Sequence, residues 1–192
     1  LRPCRIIGQG WNDVPKFLGG VYNENDDRND KRCFKYKISG IKSCRNDNEK
    51  DIIVNQIFSI LSENGLLKDG ATSNIAELAQ QLKDDSRLGD LIEFSRAVHA
   101  EMNAIFNALS SSTGNLKECK IFVTTFPCHN CARHIVLSGI TEIHFIEPYP
   151  KSLALKLHDD SITDKDENGK VRLIPFEGVA PMRYSEIFTR SG

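Results

Sequence analysis

Two short clusters in this 192-residue chain carry residue types suited to chemistry: His99-Ala100-Glu101 and Pro127-Cys128-His129-Asn130-Cys131. Cys128 and Cys131 are three apart at the expected start of a helix, so both thiols can face one point. The positive end of that helix lowers a thiol pKa and favours the thiolates that zinc binds. His99 opens a separate helix and can supply a neutral nitrogen from the opposite side. Three protein ligands (His99, Cys128 and Cys131) leave one tetrahedral position open, the arrangement of a catalytic rather than a structural Zn2+. A water at that position has its pKa lowered towards ~7. Glu101, two residues past His99 and not needed as a ligand, is placed to shuttle protons as the catalytic acid and base.

Each cluster alone has a plainer reading. Cys-x-x-Cys is often a redox pair or half of a structural zinc ribbon, but a ribbon needs a second Cys-x-x-Cys, which this sequence lacks. A lone His-x-Glu on a helix is usually surface or core decoration. The two together, with a Pro before the first Cys and helix, strand and helix around them, point to catalysis.

The elements that position these residues follow from periodicity. Arg5 to Gln9 reads as a short strand, with Gly8, Gly10 and Trp11-Asn12-Asp13 at a turn. Residues 23–32 read as an exposed polar loop. A polar stretch over 45–50 leads into Ile52-Ile53-Val54 and Ile57-Phe58-Ile60-Leu61, whose spacing predicts a helix stopped at Asn64-Gly65. Ser73 is the expected N-cap of an amphipathic helix over 75–82, and a third helix is expected over about 94–109. Ile121 to Thr125 has a buried-strand pattern. A helix over about 128–138 should end at Gly139, followed by a strand over 140–146. A short helix near 152–158, a polar loop over 159–170 and a strand over 171–176 complete the chain. The alternation of helix and strand from about residue 94 indicates an α/β layered sheet.

Composition bounds the partners. With 25 Lys and Arg against 26 Asp and Glu, the net charge is −1. A protein that grips long nucleic acid usually has a basic excess, so a small ligand is the better expectation. No apolar run of about 18 residues suggests a membrane span. Six cysteines without a signal-peptide pattern suit reduced thiols, metal ligation and a cytoplasmic location.

On the His99-Ala100-Glu101 and Pro127-Cys128-x-x-Cys131 motifs, a recognised signature of zinc deaminases, residues 5–188 resemble the cytidine/deoxycytidylate deaminase superfamily. The resemblance implies a three-layer α/β/α fold around a five-stranded mixed sheet, with the metal between the N-terminal ends of the two motif helices. The whole of 1–192 is then one deaminase-like domain with a helical insertion at about 51–87. Gly10-Trp11-Asn12-Asp13 is similar to a segment whose Asn hydrogen-bonds a sugar hydroxyl, a role carried here to Asn12, with a turn-forming Asn as the plainer alternative. Ala100 joins the expected substrate contacts. Phe126 could flank the base or pack in the core, and Tyr149, after a strand end, could stack on a base or touch a phosphate. Lys151, Lys156 and Arg183 are surface charges able to meet phosphates. Cys4, Cys33 and Cys44, with His129 or His158, could form a second zinc site or remain free thiols, and Cys119 reads as a small buried residue.

Within the superfamily, Thr124 to Cys128, Glu147 to Ser152 and 176–184 are similar to bacterial anti-phage dCTP deaminases. That branch implies an N-terminal P-loop domain, which this sequence does not contain, and the Leu1 start is consistent with excision from a longer chain. The expected activity is zinc-dependent hydrolysis of the exocyclic amine of dCTP or dCMP, with a small-molecule nucleotide substrate and homo-oligomeric assembly. A deaminase acting on a base in RNA or single-stranded DNA, and a non-catalytic zinc domain used in assembly, are the alternatives.

Overall fold

Hydrophobic alternation in three short strands and two small-residue helices builds the layer that carries both motifs. In the computed structural model, residues 5–22, 32, 44–67, 74–111 and 115–178 are described. They include α1 (Arg45–Glu63), α2 (Ile75–Asp84), α3 (Ala100–Ser111), β1 (Lys120–Thr125), α4 (His129–Ser138), β2 (Glu142–Glu147), α5 (Ala154–Leu157), β3 (Ile162–Thr163) and β4 (Val171–Pro175). The chain divides into two compact units: Val14–Ala97, and Leu1–Asp13 with Val98–Gly192.

The second of these units contains the sheet, ordered β1-β2-β4-β3 with every pairing parallel. Parallel neighbours need a crossover, and α4 supplies it between β1 and β2. Burial alternates along β4, and β1 and β2 each bury one isoleucine. Ile121, Ile143, Val171 and Leu173 are buried, while Phe122 is exposed. They meet Ile105 and Ala108 of α3 and Ala132 and Ile135 of α4 in one apolar core. Ile135 and Ile143 are fully buried, each worth roughly 1.5–3 kcal/mol by removal of apolar surface from water. The α/β class expected from the sequence is thus observed, with four parallel strands among the described residues instead of five in a mixed sheet.

Several boundaries differ for physical reasons. Residues 5–9 form no ladder strand and 8–12 no turn, because the segment lies extended along α3 and bonds its side chains. The third helix begins at Ala100 and not near Phe94, since Val98 is committed to a backbone bridge with Asp13 (2.8 and 3.2 Å). β3 falls inside the expected polar loop, where Ile162 and Thr163 are buried beside β4. Gly139 does end α4, in the left-handed region at φ 81°, a conformation glycine adopts without the Cβ penalty.

In the unit Val14–Ala97, the polar stretch 45–50 is the opening of α1 and not a lead-in to it. Asp47 sits in the first turn, where the helix dipole favours acid. The helix stops at Glu63 with Asn64 as C-cap. Lys50 is buried and donates to the Gly89 carbonyl at 2.6 Å, while Lys83 pairs with Asp51 at 2.6 Å. The expected cap Ser73 lies outside the described residues, and Asn74 occupies the N-cap position of α2. Among the described residues no helix is long and apolar enough to cross a membrane.

Candidate metal centre and active site

Two helix N-termini converge on one point. His99 immediately precedes α3, and its Nδ1 lies 3.3 Å from Cys128 Sγ and 3.4 Å from Cys131 Sγ. Cys128 is the N-cap of α4, and its sulfur accepts from the Cys131 N–H at 3.4 Å. The three ligand atoms lie within 4.8 Å of one another, the single such group among the described residues. Zinc bonds of about 2.3 Å to sulfur and about 2.0 Å to nitrogen set tetrahedral ligand atoms roughly 3.5–3.8 Å apart. One nitrogen and two sulfurs at this spacing therefore fit a zinc ion with little movement.

The electrostatics agree with that donor set. A hydrogen bond from the Cys131 thiol, with help from His99, holds Cys128 far below the ordinary thiol range, at about 4. The same shared proton, together with burial, pushes Cys131 up. The bond to Cys128 raises His99 against the opposing effect of burial. Glu101 has its carboxyl close enough to Cys131 to interact, and burial raises it above the usual carboxylate range. A carboxyl raised in this way holds a proton more readily than an exposed one, which suits a group that must accept and return it.

The structure brings Asn12 and Ala100 to the same place. The Asn12 Oδ1 accepts the Ala100 N–H at 2.6 Å, capping the helix that carries Glu101. Phe126 lies just before Pro127 and Cys128, with its ring edge-on to Phe145 at 5.0 Å and packed against the core. Tyr149 is half-buried in the turn after β2, where its carbonyl accepts from Ser152 N at 3.0 Å. Cys119 is half-buried against the core. Of the second zinc reading, Cys4 and Cys33 lie outside the described residues, as does Arg183, and Cys44 is a free thiol at the N-cap of α1. His158 Nε2 lies 3.2 Å from the His129 carbonyl oxygen.

Sequence reasoning missed the residues that brace the cysteine loop. Ser152 Oγ donates to the Pro127 carbonyl at 2.7 Å and accepts from Ala154 N at 3.2 Å. With His158 on the His129 carbonyl, it holds the loop from the segment after β2. It also missed Asn103, Asn107 and Ser111 on α3. Their spacing of four beside Ala100, Ala104 and Ala108 was the available signal.

Comparison with known proteins bears on this geometry. Residues 4–147 match the model of the cytidine and deoxycytidylate deaminase zinc-binding region. The chain is 36% identical over 76 residues to the deoxycytidylate deaminase of Homo sapiens, covering 40% of this chain and 34% of the relative. It is 42% identical over 50 residues to a probable deoxycytidylate deaminase of Caenorhabditis elegans, covering 26% of this chain and 24% of the relative. The matched segments thus span about a quarter to a third of these curated relatives. A crystal structure of dCMP deaminase from the cyanophage S-TIM5 with dCMP and dUMP aligns at a TM-score of 0.35 and 18% identity, over 45% of this chain and 59% of that one. The family match covers three quarters of the chain and both halves of the His99, Cys128 and Cys131 centre, and the chain belongs to the cytidine and deoxycytidylate deaminase zinc-binding family.

Proposed function

We propose that this chain hydrolyses the exocyclic amine of a cytosine deoxynucleotide, dCMP or dCTP, giving the uracil nucleotide and ammonia. The observation that carries the reading is the half-buried Glu101 carboxyl beside a three-ligand His99, Cys128 and Cys131 group. A zinc ion held there supplies Lewis-acid activation of water. Glu101 takes a proton from the attacking water and delivers it to the ring nitrogen. It then takes the proton of the new hydroxyl on the attacked carbon and passes it to the departing amine, leaving the carbonyl, ammonia and the regenerated carboxylate. Asn12, held on the Ala100 N–H, orients the sugar from the same side, and Phe126 and Tyr149 border the base and its phosphate.

We extend this reading on sequence resemblance alone to a homo-oligomer in the cytoplasm that depletes cytosine deoxynucleotides during phage infection, with a P-loop domain preceding it in the full-length protein. The core claim is tested by incubating the zinc-loaded chain separately with dCTP, dCMP, CTP, deoxycytidine and adenosine and following ammonia. Release from dCTP or dCMP alone is expected. Release from adenosine alone, or none from any compound with zinc bound, overturns the proposal.

A further inference from the structure

Three side chains of α3, each four residues from the next, line one edge of the extended segment 7–12. Asn103 Nδ2 donates to the Trp11 carbonyl at 3.1 Å and Asn107 Nδ2 to the Gln9 carbonyl at 2.8 Å, while Ser111 Oγ shares its one proton between the Asn107 carbonyl at 2.7 Å and the Ile7 carbonyl at 3.2 Å. Four helical residues advance about 6 Å and two extended residues about 6.6 Å, so the two repeats keep step while running in opposite directions. The residues between those carbonyls face the helix. A Cβ on Gly8 would meet Ala104 O and Ala108 Cβ at 2.6 Å, and one on Gly10 would meet Ala104 N at 2.3 Å and Ala100 O at 2.4 Å. Asn12 is the next residue of the same parity, and its Oδ1 reaches the Ala100 N–H.

We propose that Asn103, Asn107 and Ser111 act as a register ruler, fixing which residue of the segment arrives at the N-terminus of α3. A slip of one residue would turn Trp11 or Asp13 towards that helix end, since parity alternates along extended chain. Asn103 is the main anchor, because it is buried and is itself bonded by Asn107 Nδ2 at 3.2 Å. It is a positioning residue: it acts on substrate through Asn12 and touches no reacting atom. That consequence for substrate rests on the deaminase reading above, whereas the ruler itself does not.

The test combines amide hydrogen exchange with a double-mutant cycle on the zinc-loaded full chain. In Asn103→Ala, protection of the Ala100 amide falls about tenfold, as expected for loss of one hydrogen bond, while zinc content is unchanged. Asn107→Ala, at an exposed position, gives a smaller fall in the same amide and serves should Asn103→Ala not fold. In dCMP or dCTP turnover, Asn103→Ala lowers kcat/KM about tenfold, chiefly through KM, yet by less than about twofold when Asn12 is already Ala. Unchanged Ala100 protection in both variants overturns the ruler. Equal kcat/KM losses in the two backgrounds overturn its action through Asn12. A zinc-bound wild-type chain that deaminates no cytosine nucleotide sinks the deaminase reading alone, and exchange at Ala100 then decides the ruler.

Discussion

The two helix ends that form the candidate site are built in opposite ways. The α4 end is local and buried: Cys128 caps its own helix through Cys131 N, and Ser152 and His158 hold the adjoining carbonyls from one nearby segment. The α3 end is assembled over distance. Its cap is the side chain of Asn12, from a segment that α3 side chains hold across 92 to 104 positions of sequence. The difference suggests a division of labour. The short self-capped loop fixes two of the three ligands, Cys128 and Cys131, while the distant strap positions the third, His99, which lies between Val98, bridged to Asp13, and Ala100, capped by Asn12.

Substitutions can break this contrast. The largest effect is expected from Cys131→Ala, which removes one ligand and the donor that lowers Cys128. Zinc measured by elemental analysis should fall well below one per chain, with ammonia release lost. Ser152→Ala should be milder: the Pro127 carbonyl loses its donor, and zinc affinity measured by chelator competition should drop about 10-fold, the lower range for groups supporting metal ligands. Retention of wild-type affinity would show that the loop holds itself.

The smallest effect lies outside both ends, where Glu142 bonds Lys120 at 2.8 Å and His144 at 2.9 Å. These partners, Lys120 first, hold the Glu142 carboxyl below the usual carboxylate range. A depressed carboxylate contributes stability above its unfolded pKa and loses it as pH falls through the folded value. Glu142→Gln should therefore cost about 0.5 kcal/mol at pH 7 in urea unfolding, given the exposed setting, with the difference vanishing in acid.

The contrast also explains what the sequence made legible. The α4 end could be read because Cys128 and Cys131 are three apart and Gly139 marks the stop, whereas Ser152 and His158, 25 and 29 residues from the carbonyls they hold, left no local signal. The chemistry at His99 and Glu101 was legible by residue type, but the helix start was not, because Val98 pairs with Asp13 far away in sequence. Gly8 and Gly10 read as turn residues on local preference, whereas they are the bare faces that let backbone lie on Ala104. β3 was hidden because only two residues, Ile162 and Thr163, are buried in a run otherwise polar. Tertiary partners decided each of these cases over local propensity.

The most direct test of the central claim, that a zinc centre works here with Glu101 as its proton carrier, is Glu101→Gln measured for zinc content and for ammonia release from dCMP and dCTP. Zinc should stay at the wild-type level while the rate falls about 10²–10⁴-fold, the range for losing a general acid and base. Wild-type turnover in Glu101→Gln with zinc in place would contradict it.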